Sequence, residues 1–221
     1  MITNLRWLVL ILTVNFLVPT GVNAQFPWLG GNGKTLSDQP KEQQSTVRKI
    51  VELGGDFEGS SKTVLVGFYG QKFTNETFKY LTPLVDVEHL LFMSIPADDD
   101  AFVHCKNLKA VGWLQISSCK FNGTGLKHLS KCKKLSTIYI DDTPVTDECL
   151  EILATFESLE VLDISPGRIP SKLTSKGVGK LTALKKLQYL HLDMAEFSPD
   201  FENTMKAQLP NCKISLNQES K

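Results

Sequence analysis

The amino-acid sequence predicts an α/β solenoid in which about six short units stack side by side, each contributing one strand and one helix. Three observations support this prediction. The segments Val66–Leu81, Leu114–Leu129 and Ile138–Leu153 align without a gap, and their starting points differ by multiples of 24 residues. Their apolar residues fall in the same columns. Each segment also changes from a two-residue alternation, typical of a strand, to a three-residue spacing, typical of a helix.

The same register extends the repeat to six units. Further units begin at Leu90, at Leu162 and at Leu190, and the unit at Leu162 contains four extra residues before Val178. The third position of every unit is apolar, and it is occupied by Phe68, Phe92, Ile116, Ile140, Ile164 and Leu192. Chance does not align so many apolar positions, so the period indicates a repeat architecture.

Each unit opens with a strand pattern of the form L-x-x-L-x-I, in which Leu135, Ile138 and Ile140 point to the core and their neighbours point away. The ninth position then favours the start of a helix, because most of its residues are good N-caps: Thr74, Asp98, Asn122, Thr146 and Ser198. The helix should bury pairs three residues apart, such as Leu150 with Leu153. The strand, turn and helix of one unit therefore follow from its columns.

A single unit of this kind is too small to fold alone. It buries about six apolar side chains at ~1.5–3 kcal/mol each, whereas ordering about two dozen residues costs ~1–2 kcal/mol per residue for the backbone. Stacking closes each core face on its neighbours and pairs the strands in a parallel sheet, with right-handed crossovers between them.

The first 24 residues predict a secretory signal peptide. Arg6 precedes an apolar run from Trp7 to Val18, Pro19 breaks the run, and Val22-Asn23-Ala24 suits cleavage before Gln25. A retained membrane anchor is the alternative, but a run of 12 residues is shorter than the about 20 that span a bilayer. We therefore expect no transmembrane segment in the mature chain.

The segments around the repeats predict the remaining organisation. Residues 25–44 are polar and contain Gly and Pro, which indicates a flexible linker. Residues 45–61 contain an amphipathic helix, Ser45–Leu53, that Gly54 and Gly55 stop, and we expect it to cap the first unit. The repeats occupy 62–208, and residues 209–221 form a closing edge strand and tail, with Cys212 directed inward.

The pattern L-x-x-L-x-I followed by T-x-V-T-D-x-x-L-x-x-L, complete in Leu135–Leu153, resembles the leucine-rich-repeat superfamily. It is closest in kind to the short T-D-x-G-L variety of exported bacterial repeat proteins, which is related to the cysteine-containing class. The resemblance covers roughly residues 62 to 216. It implies a horseshoe segment with a concave parallel sheet and convex helices that binds proteins or other ligands. The sixth position lacks the family's regular asparagine, so we expect looser turns there; it holds Gln71, Ile95, Cys119, Thr143, Gly167 and Ala195.

Charge and cysteine content exclude several functions. The chain has 24 basic and 24 acidic residues, so it has no electrostatic preference for nucleic acid. It has five cysteines, an odd number, and no C-x-x-C pair that would indicate zinc. A Cys105–Cys132 disulfide and a metal site of His104, His128 and Cys132 are alternatives. However, Cys132 falls in a column otherwise filled by apolar residues, which favours buried thiols and no metal or other cofactor.

Catalytic motifs are also missing from the sequence. Gly33-Lys34-Thr35 lacks the earlier glycine of a phosphate-binding loop, and neither H-E-x-x-H nor G-x-S-x-G occurs. The carboxylates that could pair for acid–base work fall on the expected open sheet face, where nothing excludes water. We therefore predict no catalytic residues and no enzyme.

The candidate binding site lies on the face of the strands that points away from the core. Trp and Tyr are common interface anchors, and acids accompany them in the middle and late units. The predicted site comprises Trp113, Gln115, Tyr139, Asp141, Asp163, Tyr189, His191 and Asp193. The alternative is a solvated face without a partner. The four-residue expansion offers a second, basic candidate of Arg168, Lys172 and Lys176, for which a tolerated surface loop is the alternative.

Together these features predict an exported binding scaffold in the periplasm, the cell envelope or the extracellular space. A protein partner is expected first and a glycan second, and nucleic acid is not expected. A structural envelope component and an inhibitor or regulator of a secreted enzyme are the other functions that the sequence leaves open. The sequence does not determine the oligomeric state.

Overall fold

The computed structural model of the protein describes residues 41–59, 64–165, 167, 169, 172–194 and 197–218, all within the compact unit Asn32–Lys221. The described residues form one eight-stranded sheet whose strand order follows the chain. The predicted signal peptide, 1–24, and the predicted linker up to residue 40 lie outside the described residues. No helix within the described ranges is both long and apolar enough to cross a membrane.

The strands are β1 (Asp56–Gly59), β2 (Val64–Tyr69), β3 (His89–Met93), β4 (Trp113–Ser117), β5 (Thr137–Asp141), β6 (Val161–Ser165), β7 (Tyr189–Met194) and β8 (Lys213–Gln218). The α-helices are α1 (Lys41–Glu52), α2 (Asp147–Leu153), α3 (Ser175–Gly179) and α4 (Pro199–Gln208). The 3₁₀ helices are Asn75–Leu81, Asp99–Cys105, Thr124–Leu129 and Lys180–Ala183. β1 pairs antiparallel with β2, and β2 to β8 are parallel.

The strand register has the period that the sequence predicts. Leu114 of β4 pairs with Ile138 of β5, which pairs with Leu162 of β6. Leu162 pairs with Leu190 across the longer unit, so its four extra residues do not disturb the sheet. Leu190 in turn pairs with Ile214, one period later. The closing strand therefore forms a little later than the sequence indicated and continues the parallel sheet.

The core is one continuous cluster that passes through all the units. The inward residues of the middle strands, Leu114, Ile138 and Leu162, are 0% exposed. In the early units the core is aromatic: the rings of Phe68, Phe78, Phe92, Phe102 and Phe121 form a chain of contacts with centroids 4.8 to 6.3 Å apart. In the later units leucine, isoleucine and valine replace these rings.

The helical segments of the early units are short and tight. Three of the first four, from Asn75 to Leu129, are 3₁₀ helices of six or seven residues. A 3₁₀ helix has three residues per turn, so positions three apart point in the same direction. This geometry buries Phe78 with Leu81 and Leu126 with Leu129. The three-residue spacing of the sequence is thus the period of these helices.

The predicted N-cap column is only partly used for capping. Asp98 accepts a hydrogen bond from the backbone N–H of Asp100, and Ser198 accepts one from that of Phe201. Asn122 accepts one from the N–H of Thr124. Thr74 and Thr146 precede their helices without a side-chain cap. Two residues of this column therefore act as N-caps, and Asn122 closes the turn just before its helix.

The next column along, the tenth position, ties the first, second and fourth units to the units that follow them. Asn75 accepts a hydrogen bond from the N–H of Asp98 (3.0 Å). Asp99 accepts from the N–H groups of Asn122 and Gly125, both at 2.6 Å. Asp147 accepts from the N–H of Thr174 at 2.9 Å and from its hydroxyl at 2.5 Å.

Glycine interrupts this ladder at Gly123 for a steric reason. Its backbone has φ 93°, a left-handed conformation, and a Cβ atom at this position would collide with the sulfur of Cys149. At its tenth position the third unit therefore has no side chain to bond the fourth unit. The Cys149 thiol of the fourth unit occupies the space that such a side chain would need.

The turn after each strand repeats in its backbone geometry. Gly70, Ser94, Ser118 and Asp142 all have positive φ. Their N–H groups donate to carbonyl groups at the ends of the next strands, as from Ser118 to Asp141 at 2.9 Å. In the sixth column, the Thr143 hydroxyl donates to the Asp141 carbonyl and accepts from the N–H of Cys119. The sixth column, although irregular in sequence, therefore retains a side-chain hydrogen bond between neighbouring units, from the N–H of Cys119 to Thr143.

The N-terminal cap is a helix, as the sequence predicts, but α1 covers Lys41–Glu52 instead of Ser45–Leu53. Residues 41–44, assigned to the linker from composition, are therefore helical. Val47 and Ile50 are buried against the first unit. Gly54, with φ 97°, ends the helix and leads the chain into β1.

All five cysteines lie in described residues and all are free thiols, so the alternative Cys105–Cys132 disulfide is not formed. Four of them are buried, and Cys212 is half-buried just before β8. Burial raises the pKa of the Cys105 and Cys149 thiols, and it raises the pKa of Cys132 to about 11. These thiols are core side chains that remain protonated.

Replacing Asp99 tests the ladder between units. Asp99→Ala removes two charge-assisted hydrogen bonds to the next unit, so we expect the free energy of unfolding to fall by about 2 kcal/mol in urea denaturation. Asp100→Ala is the matched control, because Asp100 is an exposed acid one residue further along the same helix. Equal stability of the two variants would show that the ladder does not stabilise the stack.

Thiol counting tests the burial of the cysteines. With a chromogenic disulfide reagent, the native protein should show at most one reactive thiol, Cys212, and five after denaturation, because reagent cannot reach the core. Cys212→Ser should abolish the native signal. Two or more thiols reacting in the native state would contradict the packing of this core.

Candidate functional site

Strand alternation turns every second residue of β3 to β7 away from the core, and we call this surface the outward face. It comprises His89, Leu91, Met93, Trp113, Gln115, Ser117, Thr137, Tyr139, Asp141, Val161, Asp163, Ser165, Tyr189, His191 and Asp193. Leu91, Tyr139 and Tyr189 are buried but lie outside the core cluster. All eight residues of the predicted site are on this face.

The sheet arranges the outward residues in three rows. The central row runs from Leu91 through Gln115, Tyr139 and Asp163 to His191, each paired in register with the next. A row to one side contains His89, Trp113 and Tyr189, and the row on the other side contains Asp141 and Asp193. Neighbours within a row are about 4.8 Å apart at the backbone, so their side chains contact one another.

Aromatic rings cover the early part of the face. The His89 and Trp113 rings stack with centroids 5.7 Å apart, and the Trp113 and Tyr139 rings are 5.8 Å apart and tilted by 51°. Burial lowers the pKa of His89, so this ring is neutral near pH 7. His89 was not part of the predicted site, although it lies one period before Trp113 in the same row.

Asp163 is the most unusual polar residue of the face, because it is only 2% exposed. Its Oδ1 accepts a hydrogen bond from the Ser165 hydroxyl at 3.3 Å, and its Oδ2 has no partner among the described residues. Burial raises its pKa to about 6; His191 opposes the rise, and Asp193 and Asp141 add to it.

His191 and Asp193 form the polar pair beside Asp163. His191 Nε2 lies 3.4 Å from Asp193 Oδ1. This hydrogen bond raises the pKa of His191 and lowers the pKa of Asp193. Asn217, on β8, donates to the same Oδ1 at 3.0 Å. Asn217 was absent from the predicted site, although counting one period from Asp193 reaches it.

The remaining site residues surround these two groups. Burial, assisted by Asp163, raises the pKa of Tyr139 to about 12 and also raises that of Tyr189, so both phenols remain protonated donors. Asp141 is exposed at the end of β5, and its pKa is raised by partial burial and by Asp142. Gln115 donates from Nε2 to the Ser117 hydroxyl at 3.3 Å, whereas its Oε1 has no partner within the described ranges.

This arrangement is rich in hydrogen-bond acceptors and negative charge. The outward face, as defined above, contains three carboxyl groups and no lysine or arginine. Within the described residues, no group of three or more His, Cys, Asp or Glu side chains could hold a metal ion. The face is therefore suited to a ligand that offers donors or positive charge together with a flat apolar surface.

The second candidate site is placed only in part. Arg168 lies outside the described residues. Lys172 and Lys176 are exposed. Lys176 belongs to α3, a helix that packs against α2, and not to a strand of the sheet. Neither lysine is therefore part of the outward face.

The 24-residue register and the shared core decide the fold. It is a solenoid of stacked strand–helix repeats joined by a parallel sheet. The leucine-rich-repeat identity and its subtype stay predictions from the sequence pattern.

Comparison with known proteins finds no matching protein-family model and no curated protein with recognisable sequence similarity. An internalin from Listeria monocytogenes is 16% identical, with a TM-score of 0.47, over 63% of this chain and 36% of its own. A second internalin of that species is 19% identical (TM-score 0.46) over 72% of this chain and 74% of its own. A leucine-rich-repeat protein from Leptospira interrogans is 14% identical (TM-score 0.38) over 63% of this chain and 38% of its own. This chain thus spans little more than a third of two of these proteins.

The pH dependence of stability tests the burial of Asp163. Its pKa of about 6 lies above the ordinary 3.8, so the folded state holds the proton more tightly, and this group's contribution to stability falls as pH rises from about 4 to about 6. Asp163→Asn removes the charge. We expect this variant to be more stable than wild type at pH 7.5, on the order of 2 kcal/mol, and the difference to shrink below pH 4.

Asp193→Asn provides the contrast, because hydrogen bonds lower the pKa of Asp193. Its folded state favours the ionised form, so this variant should lose stability at pH 7.5. Urea denaturation across the pH range measures both. If the Asp163→Asn variant is less stable than wild type at pH 7.5, burial of the ionised Asp163 carboxylate does not lower the free energy of unfolding.

Proposed function

We propose that this protein is a non-enzymatic binding scaffold whose outward face receives a protein partner. The observation that carries the proposal is the continuous array of aromatic rings and acceptor groups, from His89 and Trp113 to His191 and Asp193, across five adjacent strands. The backbone hydrogen bonds of the sheet hold these groups in position. A partner therefore meets a surface that is already ordered, which lowers the entropic cost of binding.

The size of the array suits a protein partner. Four strand spacings separate β3 from β7, which makes the face about 19 Å wide at the backbone. A stable protein interface buries about 800 Å² on each partner, so a protein partner of this face also contacts the loops that flank it. Trp113 and Tyr139 adjoin each other near its centre, where anchor residues contribute most to affinity.

The same groups are poorly suited to catalysis. His191 is hydrogen-bonded to Asp193, and Tyr139 and Tyr189 are protonated near pH 7. Asp163 has a pKa of about 6 and the pKa of His191 is raised, but the described residues place no thiol on this face. A binding role uses each of these groups as it stands.

We also propose export to the periplasm, the cell envelope or the extracellular space. The support is the sequence of residues 1–24, with its basic start, short apolar run and small-residue cleavage site. In such a compartment the free thiols Cys105, Cys119, Cys132 and Cys149 are protected from oxidation by burial.

Removing the two central aromatic anchors tests the binding role. Trp113→Ala combined with Tyr139→Ala should lower capture of a partner from an envelope extract at least tenfold, because each ring provides a large apolar contact. Capture is quantified by mass spectrometry against wild type, and circular dichroism confirms that the variant is folded.

Val103→Ala is the matched control, because Val103 is an apolar residue, 41% exposed, on a 3₁₀ helix. Undiminished capture by the double variant would exclude the outward face as the interface. Capture that is lost only when residues 25–40 are deleted would place the interface in the predicted linker.

A further inference from the structure

Two buried oxygen atoms on the outward face are without a hydrogen-bond partner in the described part of the chain. They are Oε1 of Gln115, which is 7% exposed, and Oδ2 of Asp163, which is 2% exposed. Buried polar atoms in folded proteins are nearly always paired. A ligand that carries a hydrogen-bond donor can therefore supply the hydrogen bond that such an unpaired acceptor lacks.

The register places these two acceptors on either side of one aromatic ring. Gln115 pairs with Tyr139, and Tyr139 pairs with Asp163, so all three lie in the central row on adjacent strands. The backbones of Gln115 and Asp163 are two strand spacings apart, about 10 Å. An extended planar donor lying over Tyr139 can reach towards both oxygens.

A guanidinium group fits this arrangement better than other common donors. It is planar, it stacks on aromatic rings, and its N–H groups point outward from opposite edges, so one group can donate in two directions. A lysine ammonium group is compact and donates from a single point, so it reaches one acceptor. A sugar hydroxyl can donate, but it does not neutralise the carboxylate.

The charge around the two acceptors also favours a cation. Asp141 and Asp193 lie in the adjacent row, and Asp193 is hydrogen-bonded to His191. His191 pairs with Asp163 in register and is the basic residue of the central row, and its hydrogen bond goes to Asp193. The chain as a whole is balanced at 24 basic and 24 acidic residues, so this face is locally more acidic than the molecule.

We propose that the outward face binds an arginine side chain of a protein partner, with the guanidinium stacked on Tyr139 and donating to Gln115 Oε1 and Asp163 Oδ2. This inference rests on the proposed function, since it names the chemistry of the partner at the same face. Tyr139 is only 8% exposed, so binding requires its ring to turn aside, and because Tyr139 lies outside the core cluster this movement leaves the shared core in place.

A titration with blocked amino acids tests this assignment directly. The ¹⁵N-labelled protein is titrated at pH 7.5 with N-acetyl-arginine methylamide, and separately with the lysine and citrulline analogues. We expect arginine to shift the amide signals of Gln115, Tyr139 and Asp163 with weak, saturable affinity. Citrulline has nearly the same shape without the charge, so it should bind at least tenfold more weakly, and lysine should also bind more weakly than arginine.

Two variants complete the test. Asp163→Asn should weaken arginine binding at least tenfold, and Gln115→Leu should weaken it by a smaller factor, because it removes a neutral acceptor. Asp100→Asn is the matched control: it removes the same charge from an exposed residue of a 3₁₀ helix and should leave arginine binding unchanged.

Equal binding of arginine and citrulline, or equal affinities of the Asp163→Asn and Asp100→Asn variants, would overturn the assignment. So would maltotriose shifting the same three signals while arginine does not, and this result would indicate a glycan. If arginine fails but partner capture still depends on Trp113 and Tyr139, the assignment is wrong and the binding function stands. If arginine binds as expected but capture does not depend on these rings, only the proposed function fails.

Discussion

A 24-residue unit of this chain can bury its apolar side chains only against the units before and after it. Leu114, Ile138 and Leu162 come from three units and are fully buried in one continuous cluster. The carboxylates of Asp99 and Asp147 accept hydrogen bonds from backbone N–H groups of the next unit and reinforce the same stacking. Because each unit must match its neighbours, the strand register is uniform, and the uniform register determines which residues face away from the core.

The outward face combines this rigidity with incomplete polar pairing. Each row brings side chains from residues 24 or 28 positions apart to neighbouring places, so Tyr139, Asp163 and His191 become direct neighbours. Asp163 is buried there, and one of its carboxyl oxygens has no partner among the described residues, which is unfavourable for folding. Folded proteins keep such unfavourable groups mainly at functional sites, where a ligand completes the pairing. The stability of the stack makes this arrangement tolerable.

Much of the fold is predictable from local patterns. The columns around Leu135–Leu153 specify a strand, a turn and a helical segment, and the structure shows all three. The sequence pattern did not distinguish 3₁₀ helices from α-helices, and the short segments that connect the strands of the early units are 3₁₀ helices. Residues 41–44 were assigned to the linker because of their polar composition, but they belong to α1. Cys212 precedes β8 and is half-buried, because the closing strand begins at Lys213.

The sequence by itself determined the period, the core columns and the membership of the outward face, because alternation and repetition are properties of neighbouring residues. Tertiary structure alone decided that His191 pairs with Asp193, that Asn217 joins them, and that Asp163 and Gln115 keep unpaired oxygens. These features depend on distances between side chains on different strands. A period states which residues are neighbours, whereas rotamers and packing decide which of their atoms meet.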